Sequence, residues 1–277
     1  MFGVGVGVGV GRQHFGSGVA PYVGLLDSYP GAAAAYSVRL LKSDYTGNAI
    51  RVRRSSDNAE QNIGFDGSGN LDTTALTSFC GSGNGFVTTW YDQSGNGKNA
   101  LNTTAANQPQ IVSAGSIITQ NSKPILKFNA QFLSLSTAII PASSWSLFGV
   151  GKKNGDGNLS YFGGTSGLNS ALVGFFDNNI YLLGNSNYIS TSDNPSSNYR
   201  INSGFVISGV ASSIYRNNTL LSTSSTSGAP NQEFLYIGKY GSSTENSSMS
   251  EVILYQSNQL SNNSGINTNI NTYYAIY

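Results

Sequence analysis

FVTTWY (residues 86–91) runs directly into DQSGNG (residues 92–97). Aromatic and β-branched residues favour a strand, and Asp, Asn, Ser and Gly favour a turn. The two segments therefore predict a strong strand that ends in a tight turn. Short strand-forming runs separated by turn residues recur as far as the C-terminus, a pattern typical of an all-β sandwich or jelly roll.

Further strands are expected at regular spacing along the chain. We place them at Ile50–Arg53, Ile125–Phe128, Trp145–Val150, Leu159–Phe162, Ala171–Phe176, Ile180–Leu183, Phe205–Val210, Ser213–Arg216, Leu220–Ser222, Phe234–Ile237 and Glu251–Tyr255. Asn217 and Asn218 predict a hairpin turn, because asparagine tolerates a positive φ.

Two or three short helices complete the prediction. The alanine-rich segment Pro30–Leu41 favours a helix with proline near its first turn. Leu71–Cys80 predicts a second helix, which Gly81 would close. A C-terminal helix is indicated by apolar residues at helical spacing, with Ser261 or Ser264 available as its cap. These apolar residues are Ile266, Ile270, Tyr273, Tyr274 and Ile276.

The composition excludes several classes of protein. Charged residues are only 10% of the 277 residues, and aromatic residues are 11%, which is unlike a disordered chain. The net charge is +1, and no basic run extends beyond Arg51, Arg53 and Arg54, so nucleic-acid binding is not expected. No apolar stretch approaches the roughly 20 residues that span a bilayer, so membrane insertion is not expected either.

The first eleven residues alternate glycine and valine. In an extended chain Val4, Val6, Val8 and Val10 would share one face, which could order by adding to the sheet of another subunit. Either a floppy tail or an anchor into a neighbouring protein fits this pattern. We expect an N-terminal extension at residues 1–24 and one sandwich domain at residues 25–277.

Few residues are available for metal or cofactor chemistry. His14 is the only histidine and Cys80 the only cysteine, which excludes a Ser-His-Asp triad, a structural zinc and an intrachain disulfide. Calcium binding at Asp156 or Asp177 would suit a sandwich, but no ligand spacing indicates it. The sequence predicts no cofactor and no metal.

Four ordered blocks resemble one enzyme family. They are YSVRLL (36–41), IRVRRSSD (50–57), LDTTAL (71–76) and VTTWYDQSGNG (87–97). The series is similar to the catalytic domain of the family 54 α-L-arabinofuranosidases, which is a concanavalin-like β-sandwich. LYIG (235–238), SEVILY (250–255) and the terminal helix also look like the end of laminin-G or concanavalin-like jelly rolls. The resemblance implies an all-β, concanavalin-like fold.

The same resemblance implies two catalytic carboxyls, a Glu nucleophile and an Asp acid about 5 Å apart. The segments matched to them, residues 159–166 and 237–242, contain no carboxylate. Asp57, Glu60 and Asp92 fit turn-capping or arginine-pairing roles better. Glu245 and Glu251 show no spacing that predicts a convergent pair. From this we expect a retained fold without catalytic residues, hence not an enzyme.

Carbohydrate binding remains open, since sugars stack on aromatic faces. Five tyrosines are placed in or beside predicted loops, although packing on the core is the simpler interpretation for each. They are Tyr161, Tyr181, Tyr188, Tyr199 and Tyr240.

A glycine-rich N-terminus before these blocks also resembles structural proteins of tailed bacteriophages, and residues 1–11 lack the features of a secretory signal. We therefore predict a structural protein of a virion surface, a head or tail fibre component assembled in the host cytoplasm and released on lysis. Its expected partners are other virion proteins, further copies of itself (a trimer is favoured) and host-surface carbohydrate. The alternatives are an arabinofuranosidase-like glycoside hydrolase and a secreted lectin-like adhesin.

Overall fold

A computed structural model describes residues 21–155, 158–164, 172–176, 179–184, 187–191, 198–225 and 233–277. Its strands, numbered along the chain, are β1 (Ala32–Ser37), β2 (Ile50–Arg54), β3 (Glu60–Ile63), β4 (Gly85–Trp90), β5 (Ala100–Leu101), β6 (Gln110–Ser113), β7 (Ser116–Ile117), β8 (Thr119–Gln120), β9 (Lys123–Pro124), β10 (Leu126–Gln131), β11 (Leu133–Ile139), β12 (Trp145–Lys153), β13 (Leu159–Gly163), β14 (Leu172–Phe176), β15 (Asn179–Gly184), β16 (Asn187–Thr191), β17 (Arg200–Ile207), β18 (Ala211–Arg216), β19 (Thr219–Ser224), β20 (Phe234–Ile237), β21 (Lys239–Tyr240) and β22 (Ser243–Tyr255). The α-helices are α1 (Leu25–Ser28), α2 (Thr73–Cys80) and α3 (Asn263–Tyr274).

The strands form an antiparallel β-sandwich, which confirms the predicted fold class. In the first layer the order is β19-β18-β17-β12-β22, and β22 pairs on its other side with β1 and β10. In the second layer the order is β5-β11-β20-β13-β14-β15-β16. β4 pairs with β5 of the second layer and also with β2 and β6.

Aromatic side chains fill the space between the layers. Phe234 of β20 packs against Trp145 of β12 at 5.4 Å and against Phe162 of β13 at 5.3 Å between ring centroids. Tyr36 of β1 contacts both Phe162 and Trp90. All five side chains are fully buried, so this aromatic cluster joins the two layers by apolar burial.

The predicted helix at Pro30–Leu41 is wrong, because β1 occupies Ala32–Ser37 and pairs with β22. Two neighbouring residues of the turn after β4 fix this segment in extended form. Asp92 Oδ1 accepts a hydrogen bond from Ala35 N at 2.9 Å, and Gln93 Oε1 accepts one from Leu41 N at 2.8 Å. Small alanine side chains fit this close packing, so tertiary contacts override the helix propensity of alanine.

Both remaining helix predictions are confirmed. α2 begins after Asp72, whose side chain accepts a hydrogen bond from Ala75 N, and ends at Gly81 with φ +57°. α3 lies on the outer face of the first layer, where Asn267 Nδ2 donates to Ser203 Oγ at 3.1 Å. Its N-cap is Asn262, reached through a turn of 3₁₀ helix at Leu260–Asn262, so neither Ser261 nor Ser264 has the predicted capping role.

The hairpin turn after β18 is also confirmed, with positive φ at Asn217 (48°) and Asn218 (64°). No helix among the described residues is both long and apolar enough to cross a membrane. The division into residues 1–24 and 25–277 stays a prediction, since the description starts at residue 21.

Candidate functional site

A buried carboxyl group lies between the two layers near the start of β22. Glu245 is only 1% exposed and pairs in register with Gln131 of β10. Its backbone N donates to Gly238 O at 3.2 Å, which attaches it to the turn between β20 and β21. A carboxyl group in such surroundings is costly to ionise, because burial disfavours the charged form.

One hydroxyl group holds this carboxyl. Ser160 Oγ of β13 donates a hydrogen bond to Glu245 Oε1 at 3.0 Å, while Glu245 Oε2 is buried and has no hydrogen-bond partner in the part of the chain that the structure describes. Burial raises the pKa of Glu245 to about 7, and the Ser160 hydrogen bond opposes that rise. Glu245 therefore changes its protonation state close to neutral pH, which is what proton donation in catalysis requires.

An irregularity in β13 explains how Ser160 reaches Glu245. The register between β13 and β14 shifts between Ser160 and Phe162, so that the neighbouring residues 160 and 161 both contact the first layer. The ring of Tyr161 packs on Gly149 and Gly151 of β12, where a Cβ at Gly149 would come within 2.6 Å of it. Its hydroxyl accepts a hydrogen bond from Asn202 Nδ2 at 2.7 Å.

Polar atoms of two more strand residues on this interior face are unsatisfied. Ser247 Oγ, two residues beyond Glu245 on the same face of β22, has no hydrogen-bond partner among the described residues, and neither has Asn202 Oδ1. We call Ser160, Tyr161, Asn202, Glu245 and Ser247 the polar layer. Buried polar atoms are normally paired, so unpaired ones indicate a place for water or for ligand hydroxyl groups.

The other buried glutamate belongs to the opposite face of the same sheet. Glu251 forms an ion pair with Arg39, with 2.7 Å between Nε and Oε2, and accepts a hydrogen bond from Ser37 Oγ. Tyr274 of α3 also contacts this carboxylate. Glu251 is thus fixed in a structural network and does not pair with Glu245.

Most other described carboxylates have structural partners. Asp57 pairs with Arg54 and Glu60 with Arg51, as the sequence predicted. The buried Asp92 organises its turn by accepting hydrogen bonds from Ser94 N and Lys98 N, which also agrees with the prediction. Three remaining acids, Asp156, Asp177 and Asp193, lie outside the described residues. Within the described ranges no group of three or more His, Cys, Asp or Glu side chains could hold a metal ion.

The turn that follows β20 borders the polar layer. Gly238 has φ +81°, and a Cβ there would come within 2.6 Å of the Phe128 ring. Gly163 of β13 approaches the same turn so closely that a Cβ would lie 2.0 Å from Lys239 O. The Lys239 ammonium lies over the rings of Phe132 and Tyr236, 4.5 and 4.7 Å from their centroids. Glycine at both positions therefore lets this turn close over β13.

The tyrosines predicted to contact a glycan have different locations. Tyr161 lies within β13 and Tyr199 directly before β17, and both rings are buried. Tyr240 is half-buried in β21. Tyr181 and Tyr188 fall in β15 and β16, but their side chains are outside the description, as are the whole of Val4, Val6, Val8 and Val10.

The sequence missed Glu245 as a site residue, because the last strand begins at Ser243 and not at Glu251 as predicted. The stretch TENSSMS (244–250) is too polar to be recognised as a buried strand. The alternation of Glu245, Ser247 and Met249 was the signal that could have shown it, but period two with polar residues normally indicates a solvent face.

Comparison with known proteins supports the fold. The family model described as "Alpha-L-arabinofuranosidase B, catalytic" matches residues 27–125, a little over a third of the chain. A solved arabinofuranosidase in complex with arabinofuranosyl-α-1,2-xylobiose superposes with a TM-score of 0.68 at 16% identity over 86% of this chain. A family 54 α-L-arabinofuranosidase mutant soaked with 4-nitrophenyl α-L-arabinofuranoside gives 0.67 at 17% identity over the same share.

This chain spans 62% of the length of each of those solved chains. No curated protein sequence matches it. At such low identity the superpositions establish the β-sandwich fold alone.

These findings correct two predictions. The expected virion structural protein is wrong, because the family model and these structures are those of α-L-arabinofuranosidases and none is described as a virion component. The expectation that the chain is not an enzyme is overturned by the same matches. It rested on the missing carboxylates of residues 159–166 and 237–242, whereas the fold brings Glu245 from β22 to Ser160.

Proposed function

We propose that this chain is the β-sandwich domain of a glycoside hydrolase that acts on α-L-arabinofuranosides. The match of residues 27–125 to an arabinofuranosidase catalytic model suggests the substrate class. The observation that carries a hydrolytic role is the buried Glu245, whose pKa is raised to about 7. A carboxylic acid that stays protonated near neutral pH is the proton donor that glycoside hydrolysis needs.

In this proposal Glu245 is the general acid. Its proton is transferred to the glycosidic oxygen as the bond from that oxygen to the anomeric carbon breaks, and the leaving alcohol departs neutral. Buried Ser247 and Asn202 supply unpaired polar atoms on the same interior face, which suit sugar hydroxyl groups. Tyr240, half-buried in the turn beside Glu245, is the predicted glycan-contact tyrosine that best fits this location.

A retaining hydrolase also needs a carboxylate nucleophile. Glu251 is unsuited to this role because it is ion-paired with Arg39 on the far face of the sheet. Asp156, Asp177 and Asp193 follow β12, β14 and β16 in the sequence. We propose that one of these three supplies the nucleophile.

Glu245 is only 1% exposed, so substrate reaches it after the side chains above it have moved. The segment next to Glu245 is the turn at residues 238–243. Two hydrogen bonds attach this turn to β13 and the residue that follows it, from Gly238 N to Ser160 O (2.9 Å) and from Gly241 N to Gly164 O (3.0 Å). Opening of this turn on substrate binding is the movement that the proposal requires.

Two substrates with different leaving groups test the proposed acid. 4-Nitrophenol leaves without much help, whereas the sugar alcohol of arabinofuranosyl-xylobiose must be protonated. Glu245→Gln should lower the rate of hydrolysis of arabinofuranosyl-xylobiose at least 100-fold and should lower the rate on the nitrophenyl substrate much less. Glu233→Gln, a half-buried glutamate just before β20, is the matched control and should retain wild-type rates.

The nucleophile is identified with three variants, Asp156→Asn, Asp177→Asn and Asp193→Asn. The variant that lacks the nucleophile should lose turnover of both substrates. Absence of turnover by the wild-type chain on either substrate would refute the proposed function. Equal rates for Glu245→Gln and wild type on arabinofuranosyl-xylobiose would refute the role of Glu245 as the general acid.

A further inference from the structure

The two oxygens of Glu245 have unequal surroundings. Oε1 accepts a hydrogen bond from the Ser160 hydroxyl at 3.0 Å, and Oε2 is buried with no hydrogen-bond partner within the described ranges. We propose that Ser160 is a positioning residue, which anchors Oε1 and leaves Oε2 to carry the proton and present it to the glycosidic oxygen. This inference rests on the proposed function and assigns separate roles to the two oxygens.

No other described side chain holds the carboxyl. Gln131, its register partner on β10, uses its own Oε1 to accept Asn129 N. Gly238 contributes only its backbone oxygen, to Glu245 N, and the Ser247 hydroxyl is unpartnered. Among the described residues Ser160 is thus the one side chain that hydrogen-bonds to Glu245 and sets the orientation of its carboxyl group.

Ser160 is itself fixed by its neighbour in β13. Tyr161 inserts over the glycines of β12, and its hydroxyl accepts the Asn202 hydrogen bond at 2.7 Å. On the other side of Ser160, its backbone oxygen accepts a hydrogen bond from Gly238 N at 2.9 Å. Both contacts hold the backbone of Ser160, so its hydroxyl is pre-oriented toward Glu245, as precise catalytic geometry requires.

Lysines lie on the segments that pair with β22 next to Glu245, and Arg200 of β17 lies near Tyr161. Lys239 follows Gly238, but its ammonium lies over the rings of Phe132 and Tyr236. Lys153 lies opposite Ser247 in the register of β12 and β22 and is also buried. Among the described residues neither lysine forms a salt bridge with Glu245. Burial and the Ser160 hydroxyl therefore govern the ionisation of Glu245.

The experiment combines kinetics with a direct titration in the full chain. Carbon-13 NMR of glutamate-labelled protein follows the Glu245 carboxyl, and Glu245→Gln assigns its resonance. The variants are Ser160→Ala, Ser160→Thr, which keeps the hydroxyl, and Ser146→Ala. Ser146 is a matched control, since it is a buried serine on the opposite face of the first layer that donates to Ser257 O at 2.9 Å.

In Ser160→Ala the carboxyl loses the hydrogen bond that favours its ionised form, so its titration should move to higher pH. The alkaline limb of kcat against pH should move with it. We expect kcat on arabinofuranosyl-xylobiose to fall about tenfold with KM nearly unchanged, because the proton donor loses its orientation. Ser160→Thr should restore most of kcat, and Ser146→Ala should keep the wild-type pH profile.

A Glu245 titration that is the same in Ser160→Ala and in wild type would overturn the inference. So would a kcat profile of Ser160→Ala that matches that of Ser146→Ala. A wild-type chain that cleaves no arabinofuranoside would overturn the proposed function and the catalytic part of this inference, while the titration would still decide whether Ser160 holds Glu245.

Discussion

Arg39 and Glu251 form a buried bidentate ion pair, with Arg39 Nε 2.7 Å from Glu251 Oε2 and Arg39 Nη2 2.9 Å from Glu251 Oε1. Nη1 of the same arginine donates to Asn269 of α3 at 2.8 Å, and the guanidinium carbon lies 5.1 Å from the centroid of the Tyr273 ring. The pair therefore joins the segment after β1, strand β22 and the C-terminal helix. Burial opposes the charged form of Arg39, but the adjacent Glu251 carboxylate raises the pKa of Arg39, so the guanidinium stays charged.

Removal of one partner of this pair should be strongly destabilising. Arg39→Met leaves Glu251 buried and unpaired, and we expect it to lower the free energy of unfolding by about 3–5 kcal/mol. Urea unfolding followed by tryptophan fluorescence measures the change. Arg51→Met, which breaks the half-exposed pair with Glu60, should cost less than about 1 kcal/mol. Equal losses in the two variants would contradict a special role of the buried pair.

Glu245 should make the fold less stable as the pH rises. Its pKa is about 7 in the folded protein against 4.5 as the ordinary value, so the folded state keeps a proton that the unfolded chain releases between these values. Its contribution is complete below about pH 4.5 and is lost as the pH rises through 7, a loss of about 3 kcal/mol. The free energy of unfolding, measured in urea at about pH 4 and pH 8, should fall by this amount more in wild type than in Glu245→Gln. Parallel pH dependences in the two proteins would show that Glu245 ionises normally.

The close approach of β13 to the turn at residues 238–243 depends on Gly163. A Cβ at this position would lie 2.0 Å from Lys239 O, so Gly163→Ala must push the turn away from β13. We expect a loss of stability of about 1–3 kcal/mol, and a larger loss of activity, because the turn also holds Glu245. Gly67→Ala is the matched control, since no atom lies within 4 Å of a Cβ there. Thermal unfolding and arabinofuranosidase rates measure both effects, and a Gly163→Ala variant as stable as Gly67→Ala would contradict the tight contact.

Asp92, in the DQSG turn after β4, should contribute strongly to the stability of the fold. Its carboxylate accepts hydrogen bonds from three backbone N–H groups, those of Ala35, Ser94 and Lys98. Asp92→Ala leaves these buried or half-buried donors unpaired, so we expect a loss of about 2–4 kcal/mol. Asp44→Ala removes only the exposed pair with Lys42 and should change the stability by less than about 0.5 kcal/mol. Chemical denaturation of both variants distinguishes the two roles.

Strand predictions succeeded where the local pattern and the tertiary environment agree. Phe234–Ile237 matches β20 at both ends, and the strand predicted at Trp145–Val150 lies within β12. In these segments apolar residues that favour strands face a buried layer. Strands of mixed or polar composition were missed, among them β3 (Glu60–Ile63) and β6 (Gln110–Ser113). These segments have no local preference for a strand and are extended because they pair with neighbouring strands.

The sequence by itself determined the fold class, the position of α2 and the hairpin turn at Asn217, because each depends on local chemistry: strand periodicity, an Asp cap with a closing glycine, and tolerance of positive φ. Only the tertiary structure decided that Ala32–Ser37 is a strand and that Glu245 meets Ser160, residues 85 positions apart in the chain. The burial of Glu245 comes from the packing of the two layers, and no local pattern of residues encodes such a long-range environment.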